Sequence, residues 1–519
     1  MNRGELIERL RERREPWDLL VIGGGATGVA IALDAASRGY HVALVEKHDF
    51  GKGTSSRSTK LVHGGVRYLE QGNVPLVMEA LKERGLLKEN APHLVSELAF
   101  VVPNYVWWEA PFYGIGLRLY DLLAGKYGFG ASRNLSLEET LERLPTIKTD
   151  GLRGGVVYYD GQFDDTRLLT HMAMTAVEQG AILVNYCPVV AITINETGLA
   201  AGVRVRDEET GVEYELKAHG IINATGAFSD QVRRMADPES PPMVAPSQGV
   251  HLVFDATFLP GDTAIMVPHT SDGRVMFAIP WHGHTLVGTT DTALDHIEDE
   301  PAAFEHEIAF ILETAGQYLH HAPSRSDVLS AWAGIRPLIK APGAASTAAL
   351  SRDHSIHVDS TGLLTIAGGK WTTARKMAQD CVDQAALLAG LEDRECVTRR
   401  LRIHGYHHHS GKYRHLSVYG SDAIAITDLM RAQPELAAPL DAELPYTEAE
   451  VVWAARWEMA RTLEDVLSRR TRALVLNTRA ARRMAPRVAR LLAAELGRDS
   501  VWEINQLQLF DALARRYLP

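Results

Sequence analysis

The sequence predicts an α/β plus α+β chain that closes with an all-helical segment. Three observations predict it. Near the start, an apolar strand runs directly into a Gly-rich turn and an Ala-rich helix. Between about residue 180 and residue 370, groups of short strands recur and end at a second Gly-rich turn. After Cys396 the strand patterns stop and helical periodicity takes over.

The first strand is Leu19, Leu20, Val21 and Ile22, an apolar run of the kind a buried parallel strand needs. Gly23, Gly25 and Gly28 follow as G-x-G-x-x-G. The first glycine allows the tight turn, the second lets backbone approach a pyrophosphate, and the third lets helix pack close to strand. The helix passes through Ala30, Ala32, Ala35 and Ala36 and stops at Arg38-Gly39. A second strand, His41 to Val45, ends at Glu46, where a carboxylate suits ribose hydroxyls and repels a 2′-phosphate. This is a Rossmann-like dinucleotide fingerprint, and by itself it leaves NAD and FAD both open. Just downstream, K-L-V-H-G-G-V-R-Y-L (Lys60–Leu69) sets His63, Arg67 and Tyr68 within reach of whatever the dinucleotide carries.

Val74 to Asn90 reads as an amphipathic helix with Leu76, Val77, Ala80, Leu81 and Leu87 on one side. Tyr105 to Tyr127 is rich in aromatic and aliphatic residues, is interrupted by Pro111, Gly114 and Gly116, and is too polar to span a bilayer. It has two readings, a buried core segment or an interfacial, quinone-contacting element. Strands are expected at 182–186, 189–194 and 201–205, then in G-I-I-N-A-T-G ending at Ala224-Thr225-Gly226. More follow at His251–Phe254, Arg274–Ile279, Thr285–Thr289 and Leu363–Ala367. The last runs into Gly368-Gly369-Lys370-Trp371-Thr372-Thr373 and a helix, whose start offers N–H groups and partial positive charge.

Residues 403–415, with His407, His408 and His409, read as a solvated linker, because no spaced carboxylate or Cys accompanies them as a metal site would require. Helices are expected at Glu448–Ser468 and Ala480–Leu496. This end of the chain carries Arg469, Arg470, Arg472, Arg479, Arg482, Arg483, Arg487 and Arg490. They read either as a basic surface for anionic lipid or as helix-surface ion pairs.

Composition bounds the function. At 519 residues the chain exceeds one simple core. Its net charge of −11 argues against a nucleic-acid partner. Three dispersed cysteines, Cys187, Cys381 and Cys396, give neither a disulfide framework nor a zinc site, so no metal is expected. The charged N-terminus lacks the apolar core of a secretory signal, and no stretch is long and apolar enough to span a membrane.

In these motifs and their order the chain resembles the FAD-dependent, quinone-linked glycerol-3-phosphate dehydrogenases, within the D-amino-acid-oxidase-like flavoproteins. The resemblance rests on Ile22–Gly28, Thr54–Leu69, Asn223–Gly226, Ile279–Trp281, Gly288–Asp291, Gly334–Leu338, Gly368–Thr373 and Glu458–Arg472. Trp371 departs from the aliphatic residue common at that place. The resemblance implies an FAD domain interleaved with a sheet-rich substrate domain over residues 1–395, with FAD segments near 17–75, 150–235 and 330–390. An all-α C-terminal cap would occupy 396–519.

It further implies FAD as cofactor, held by Gly23, Gly24, Gly25, Ala26, Thr27, Gly28 and Glu46. Thr54, Ser55, Ser56, Lys60, Leu61, His63 and Gly64 would join them, with Ala224, Thr225, Gly226, Gly334, Gly369, Lys370, Trp371 and Thr372. Glycerol 3-phosphate would be bound by Arg67, Tyr68, Arg336 and Lys370. His251 is expected as general base with His63 next, and Arg336 and Lys370 as catalytic cations. A membrane quinone would take the electrons at the inner face of the cell membrane, where the protein would be a peripheral cytoplasmic enzyme, with room for an anionic lipid surface and a homodimer. Competing readings are a soluble oxidase using oxygen, an amine or amino-acid oxidase of the same fold, and a catalytically inactive flavin module.

Overall fold

The structure, a computed structural model, describes residues 1–519 except Gln71, His269, Asp272 and 341–352, and without the side chains of Arg67 and Glu70. Two sheets organise the chain, and it passes back and forth between them.

The first sheet is built on Trp17–Ile22, which pairs in parallel with Val42–Val45 on one side and Glu213–Asn223 on the other. Ile182–Val184 and Leu364–Gly368 extend it in parallel at the two ends, and His354–Val358 adds an antiparallel edge. Strands 189–194 and 200–206 attach as an antiparallel ribbon to the outer half of Glu213–Asn223. Helices Ala26–Ser37, Asp165–Glu178 and Ala374–Leu388 supply the apolar cover, and the central strands are fully buried. That two-sided burial is why their sequences read as continuous apolar runs rather than alternations. Gly23 adopts φ +109°, and a Cβ on Gly28 would collide with the Gly23 carbonyl, so the turn and the close helix both depend on glycine there.

The second sheet is almost wholly antiparallel. Its order is Thr292–Ala293, Val244–Asp255, His284–Gly288, Met276–Trp281, Thr263–Val267, Val95–Asn104, Gly154–Phe163 and Leu61–Val62. Ser330–Ile339 pairs over its whole length with Val244–Asp255, from Val244 opposite Ile339 to Val253 opposite Ser330. Thr263–Val267 against Val95–Asn104 is the one parallel pair among the described strands of this second sheet.

From residue 374 onward the described chain is helical apart from one isolated bridge between Pro439 and Thr447. Two expectations for this end change. The helix expected over Glu448–Ser468 stops at Trp457, Met459 takes φ +57°, and a separate wide turn forms at Asp465–Arg470. The break lets Glu458 and Asp465, both fully buried, turn inward to meet arginines. Arg469, Arg470 and Arg472 are accordingly not a basic surface. Arg470 grips Asp49 with two nitrogens (2.8 and 2.9 Å), and Arg469 bonds Asp49, Glu464 and Asp465. Arg482, Arg483 and Arg487 do lie outside, and they pair with Asp511, Asp441 and Glu448.

The 403–415 stretch is only partly a solvated linker. His404 is clamped between Glu178 (2.5 Å) and Asp422 (2.7 Å), while His408 and His409 are exposed. Segment 105–127 divides between its two readings. Helix Glu109–Ala124 buries Tyr113, Leu117, Tyr120 and Ala124. Phe112, Ile115, Leu119 and Leu122 form a stripe on its other face, and Ile115 and Leu122 are 71% and 76% exposed. Trp107, 76% exposed, and Trp108 continue the stripe at the helix start.

Candidate active site

The carboxyl ends of the parallel strands open into a cavity of about 760 Å³ that runs on to the second sheet. Crevices at that end of a parallel sheet are where such folds bind ligands.

Its first half is made mostly of backbone. Helix Ala26–Ser37 begins at Gly25 with no side-chain cap and no acidic residue in its first turn, so its N–H groups and dipole face the cavity. Ser55 Oγ accepts from Ala26 N–H at 2.8 Å and so ties the loop Thr54–Ser56 to that helix start. Glu46 accepts from Gly24 N–H (2.5 Å) and His48 N–H (2.8 Å), which fixes its carboxylate at the end of the second strand. Burial raises the Glu46 pKa, and the two N–H donors work against that rise. Gly23, Gly25, Ala26, Thr27, Glu46, Thr54, Ser55, Leu61, Ala224, Thr225, Gly226, Gly334, Gly369, Trp371 and Thr372 line the cavity. A helix start, a fixed carboxylate and glycine-lined walls fit the pyrophosphate and ribose of FAD.

Gly24, Gly28, Ser56, Lys60 and Gly64, also expected at the cofactor, do not line the cavity. A Cβ on Gly24 would meet Phe50 and Glu46. Gly64 N–H donates to Tyr120 Oη at 2.8 Å. Lys60 is wholly buried, donates to Asp165 (2.6 Å) and to the Ser56 carbonyl (2.7 Å), and sits over the Trp332 ring at 4.6 Å. Burial drops its pKa to about 7 even though Asp165 pulls the other way. Trp371 keeps its place by donating from Nε1 to the Ser55 carbonyl at 2.9 Å.

The second half of the cavity is made of side chains. Strand register puts His251 opposite Trp332, Gly249 opposite Gly334 and Ser247 opposite Arg336. Alternate residues share a face, so His251 and Arg336 stand on one face of the sheet with a glycine pair between them. A Cβ on Gly249 would strike the Arg336 guanidinium, so the notch depends on that glycine. Arg336 bonds Asp291 (3.3 Å), the carbonyls of Gln248 and Thr290, and Thr289 Oγ1. His251 stacks on Trp332 with centroids 4.4 Å apart and an interplanar angle of 20°. Burial, then the charges of Lys60 and Arg336, hold its pKa well below the ordinary histidine value, so the ring is neutral. His63 directly follows Leu61–Val62 of the second sheet, and its backbone N–H donates to Thr372 Oγ1 at 3.1 Å. Lys370 stands 3.7 Å over the Tyr68 ring, a cation–π contact. His63, Tyr68, His251, Arg336 and Lys370 all line the same cavity. Arg67 is in the helix Val66–Glu70, and its side chain lies outside the described residues.

Three participants escaped the sequence reading. Thr59 Oγ1 lies 3.0 Å from His251 Nε2. Asp291 anchors Arg336. Arg472 donates to Asp165 (2.9 Å) and the Ser56 carbonyl (3.1 Å), so the cap braces the loop that bears Thr59. None has a local signal, because each partner is remote in sequence.

Residues 18–375 match the family described as FAD dependent oxidoreductase, and residues 360–501 match the C-terminal domain of alpha-glycerophosphate oxidase. The chain is 42% identical over 525 residues to a probable mitochondrial glycerol-3-phosphate dehydrogenase of Caenorhabditis elegans, covering 95% of this chain and 72% of that protein. It is 43% identical over 538 residues to a mitochondrial glycerol-3-phosphate dehydrogenase of Arabidopsis thaliana, covering 95% and 85%. The crystal structure of the glycerol-3-phosphate dehydrogenase from Bacillus halodurans complexed with FAD superposes with a TM-score of 0.82 at 29% identity, over 100% of this chain and 98% of that one. A glycine oxidase from Bacillus cereus shares the fold of 73% of the chain with a TM-score of 0.53 at 20% identity. The chain is an FAD-dependent oxidoreductase and belongs to the family of FAD-dependent glycerol-3-phosphate dehydrogenases.

Proposed function

We propose that the protein oxidises sn-glycerol 3-phosphate to dihydroxyacetone phosphate and delivers the electrons to a membrane quinone. The carrying observation is the pair His251 and Arg336 on one sheet face, separated by a glycine notch and sharing the cavity with Lys370. Oxidising a secondary alcohol requires loss of a hydride from carbon and a proton from oxygen. Bound in this cavity, FAD supplies the two-electron oxidant. His251, neutral and held flat against Trp332, accepts the proton, with His63 as the next candidate. Arg336, Lys370 and Tyr68 hold the phosphate and the reacting oxygen, and Arg67 is assigned with them. Two or more cations suit a dianionic phosphate better than a single carboxylate, which separates this reading from an amino-acid oxidase. Gly23–Thr27 and Glu46, with Ser55, Ala224–Gly226 and Gly369–Thr372, are assigned to FAD. We divide the chain at 395/396, since every described strand precedes that point.

The exposed stripe from Trp107 to Leu122 supports peripheral attachment to a lipid surface, because an aromatic and aliphatic face of this kind suits the membrane interface. No helix among the described residues is long and apolar enough to cross a membrane. The buried face of the same helix reaches the site. Tyr120 accepts from Gly64 N–H, next to His63, and donates to Asp160 (2.7 Å). An acceptor arriving from lipid beside this helix therefore meets the cavity wall formed by Phe100, Tyr158, Met266 and Phe277.

The match of residues 360–501 to an oxidase domain favours oxygen as the competing acceptor. Steady-state turnover of glycerol 3-phosphate with a soluble quinone analogue, compared with oxygen, distinguishes the two. Flotation with anionic liposomes tests attachment. The reading predicts faster turnover with the quinone and co-flotation. Oxygen as the better acceptor, with protein left in the soluble fraction, would replace it with a soluble oxidase.

A further inference from the structure

We infer that the Thr59 hydroxyl is a catalytic group, the link through which the substrate's proton reaches His251. This rests on the reading of His251 as the base and makes its route specific. His251 is 2% exposed, and Trp332 covers one ring face. Nδ1 is buried and has no hydrogen-bond partner among the described residues. Polar exchange between the ring and the cavity therefore runs through Nε2, and Thr59 Oγ1 stands there at 3.0 Å. Thr59 is half-buried and lines the cavity beside Leu61 and His63. A hydroxyl both donates and accepts, so it can pass one proton on while taking another.

The atoms balance. The C2–H bond of the alcohol breaks, and its electron pair leaves with the hydrogen as hydride to the bound flavin oxidant. The O2–H proton moves to Thr59 Oγ1, the Thr59 O–H proton moves to His251 Nε2, and a C2=O double bond forms. The alcohol loses two electrons and two hydrogens, one carried as hydride and one held on the imidazole.

The charges around the ring allow this. His251 is faced by Lys60 from the neighbouring loop and Arg336 from the paired strand, and both oppose its protonation. Asp165 and Arg472 sit against Lys60 on its far side, and Asp291 sits against Arg336. A phosphate dianion bound at Arg336 adds negative charge and eases the arrival of the proton. Lys60, the next residue, keeps Thr59 in place, since its ammonium is anchored to Asp165 and Ser56 and lies over the Trp332 ring.

The test is anaerobic stopped-flow reduction of the FAD-loaded enzyme by glycerol 3-phosphate across pH, for wild type, Thr59→Ser, Thr59→Val and His251→Gln. FAD content and the substrate-induced shift of the flavin spectrum report folding and binding. Thr59→Ser should stay within about threefold of wild type, and Thr59→Val should reduce the flavin about 100-fold more slowly. Thr59→Val should also lose the acid limb of the pH profile while still binding FAD and substrate. If the valine variant does not retain FAD, Thr59→Ala takes its place with the same expectation. A hydroxyl-free variant that matches wild type in rate and pH profile, beside a slow His251→Gln, overturns the relay and leaves the base. A His251→Gln enzyme as fast as wild type overturns the base itself.

Discussion

The two halves of the cavity are built by different means. The nucleotide half is mostly backbone: a helix start, glycine-lined turns and one carboxylate, contributed mainly by short contiguous segments at the carboxyl ends of the first sheet's parallel strands. The reacting half is side chains from both sheets, brought together by register and braced from the helical end. Backbone sites depend on local geometry, so a single intruding Cβ is fatal to them. Side-chain sites depend on partners, so they fail by degrees as each partner is removed.

The largest expected effect breaks the nucleotide half. The Gly25 Cβ would stand 3.2 Å from Ser55 Oγ, the oxygen that secures Ala26 N–H, so a branched side chain must push into the cavity. Gly25→Val should purify without FAD and without activity while keeping its circular dichroism, and a stoichiometric yellow protein would contradict the assignment.

Next in size is the brace. Arg472 and Asp165 are both buried, and removing Arg472 takes away one of the two buried cations on that carboxylate, leaving Lys60. Arg472→Met should cost about 3–5 kcal/mol of stability, read from denaturant unfolding of the apo- and holoproteins. A stability change within error would mean that the cap does not hold the Thr59 loop.

Smaller is the loss of one cation from the reacting half. Arg336→Ala should remove a charge-assisted contact worth about 1.5–3 kcal/mol, which is at least about tenfold in kcat/KM. FAD content should not change. Equal kinetics with glycerol 3-phosphate would take Arg336 out of the substrate site.

The smallest effect lies far from the cavity, where His404 ties Glu178 of the helix Asp165–Glu178 to Asp422 of the C-terminal segment. Burial opposes the His404 charge, but its bonds to Asp422 and Glu178 carry its pKa up to about 9. The unfolded chain titrates near 6.5. A pKa raised by folding stabilises fully below about 6.5 and is lost as pH climbs toward 9. Wild type should therefore lose on the order of 2 kcal/mol across that window, and His404→Gln should show a flatter curve. A mutant with the same slope would assign the pH dependence elsewhere.

The same contrast explains what could be read in the sequence. The Trp17–Glu46 unit, the Gly368–Thr373 turn and the helix Val74–Asn90 are local, so periodicity and glycine spacing carried them. His251 and Arg336 were reached through family motifs. Their geometry depends on strand pairing across more than eighty residues, which no local pattern encodes. Thr59 was passed over because its partner lies 192 residues away. The arginine-rich end misled for a related reason. A run of arginines reads as surface charge, yet Arg469, Arg470 and Arg472 meet Asp49 and Asp165 from the opposite end of the chain. Lys60 was assigned to the cofactor from its motif, and burial against Asp165 turned it away from the cavity.

The most direct test of the central claim is anaerobic titration of the FAD-loaded wild-type protein with sn-glycerol 3-phosphate, followed by flavin absorbance. The account predicts full bleaching by glycerol 3-phosphate, dihydroxyacetone phosphate formed one for one with flavin, and no bleaching by glycerol or glycine. A flavin that stays oxidised with glycerol 3-phosphate, or one that glycine bleaches, would contradict it.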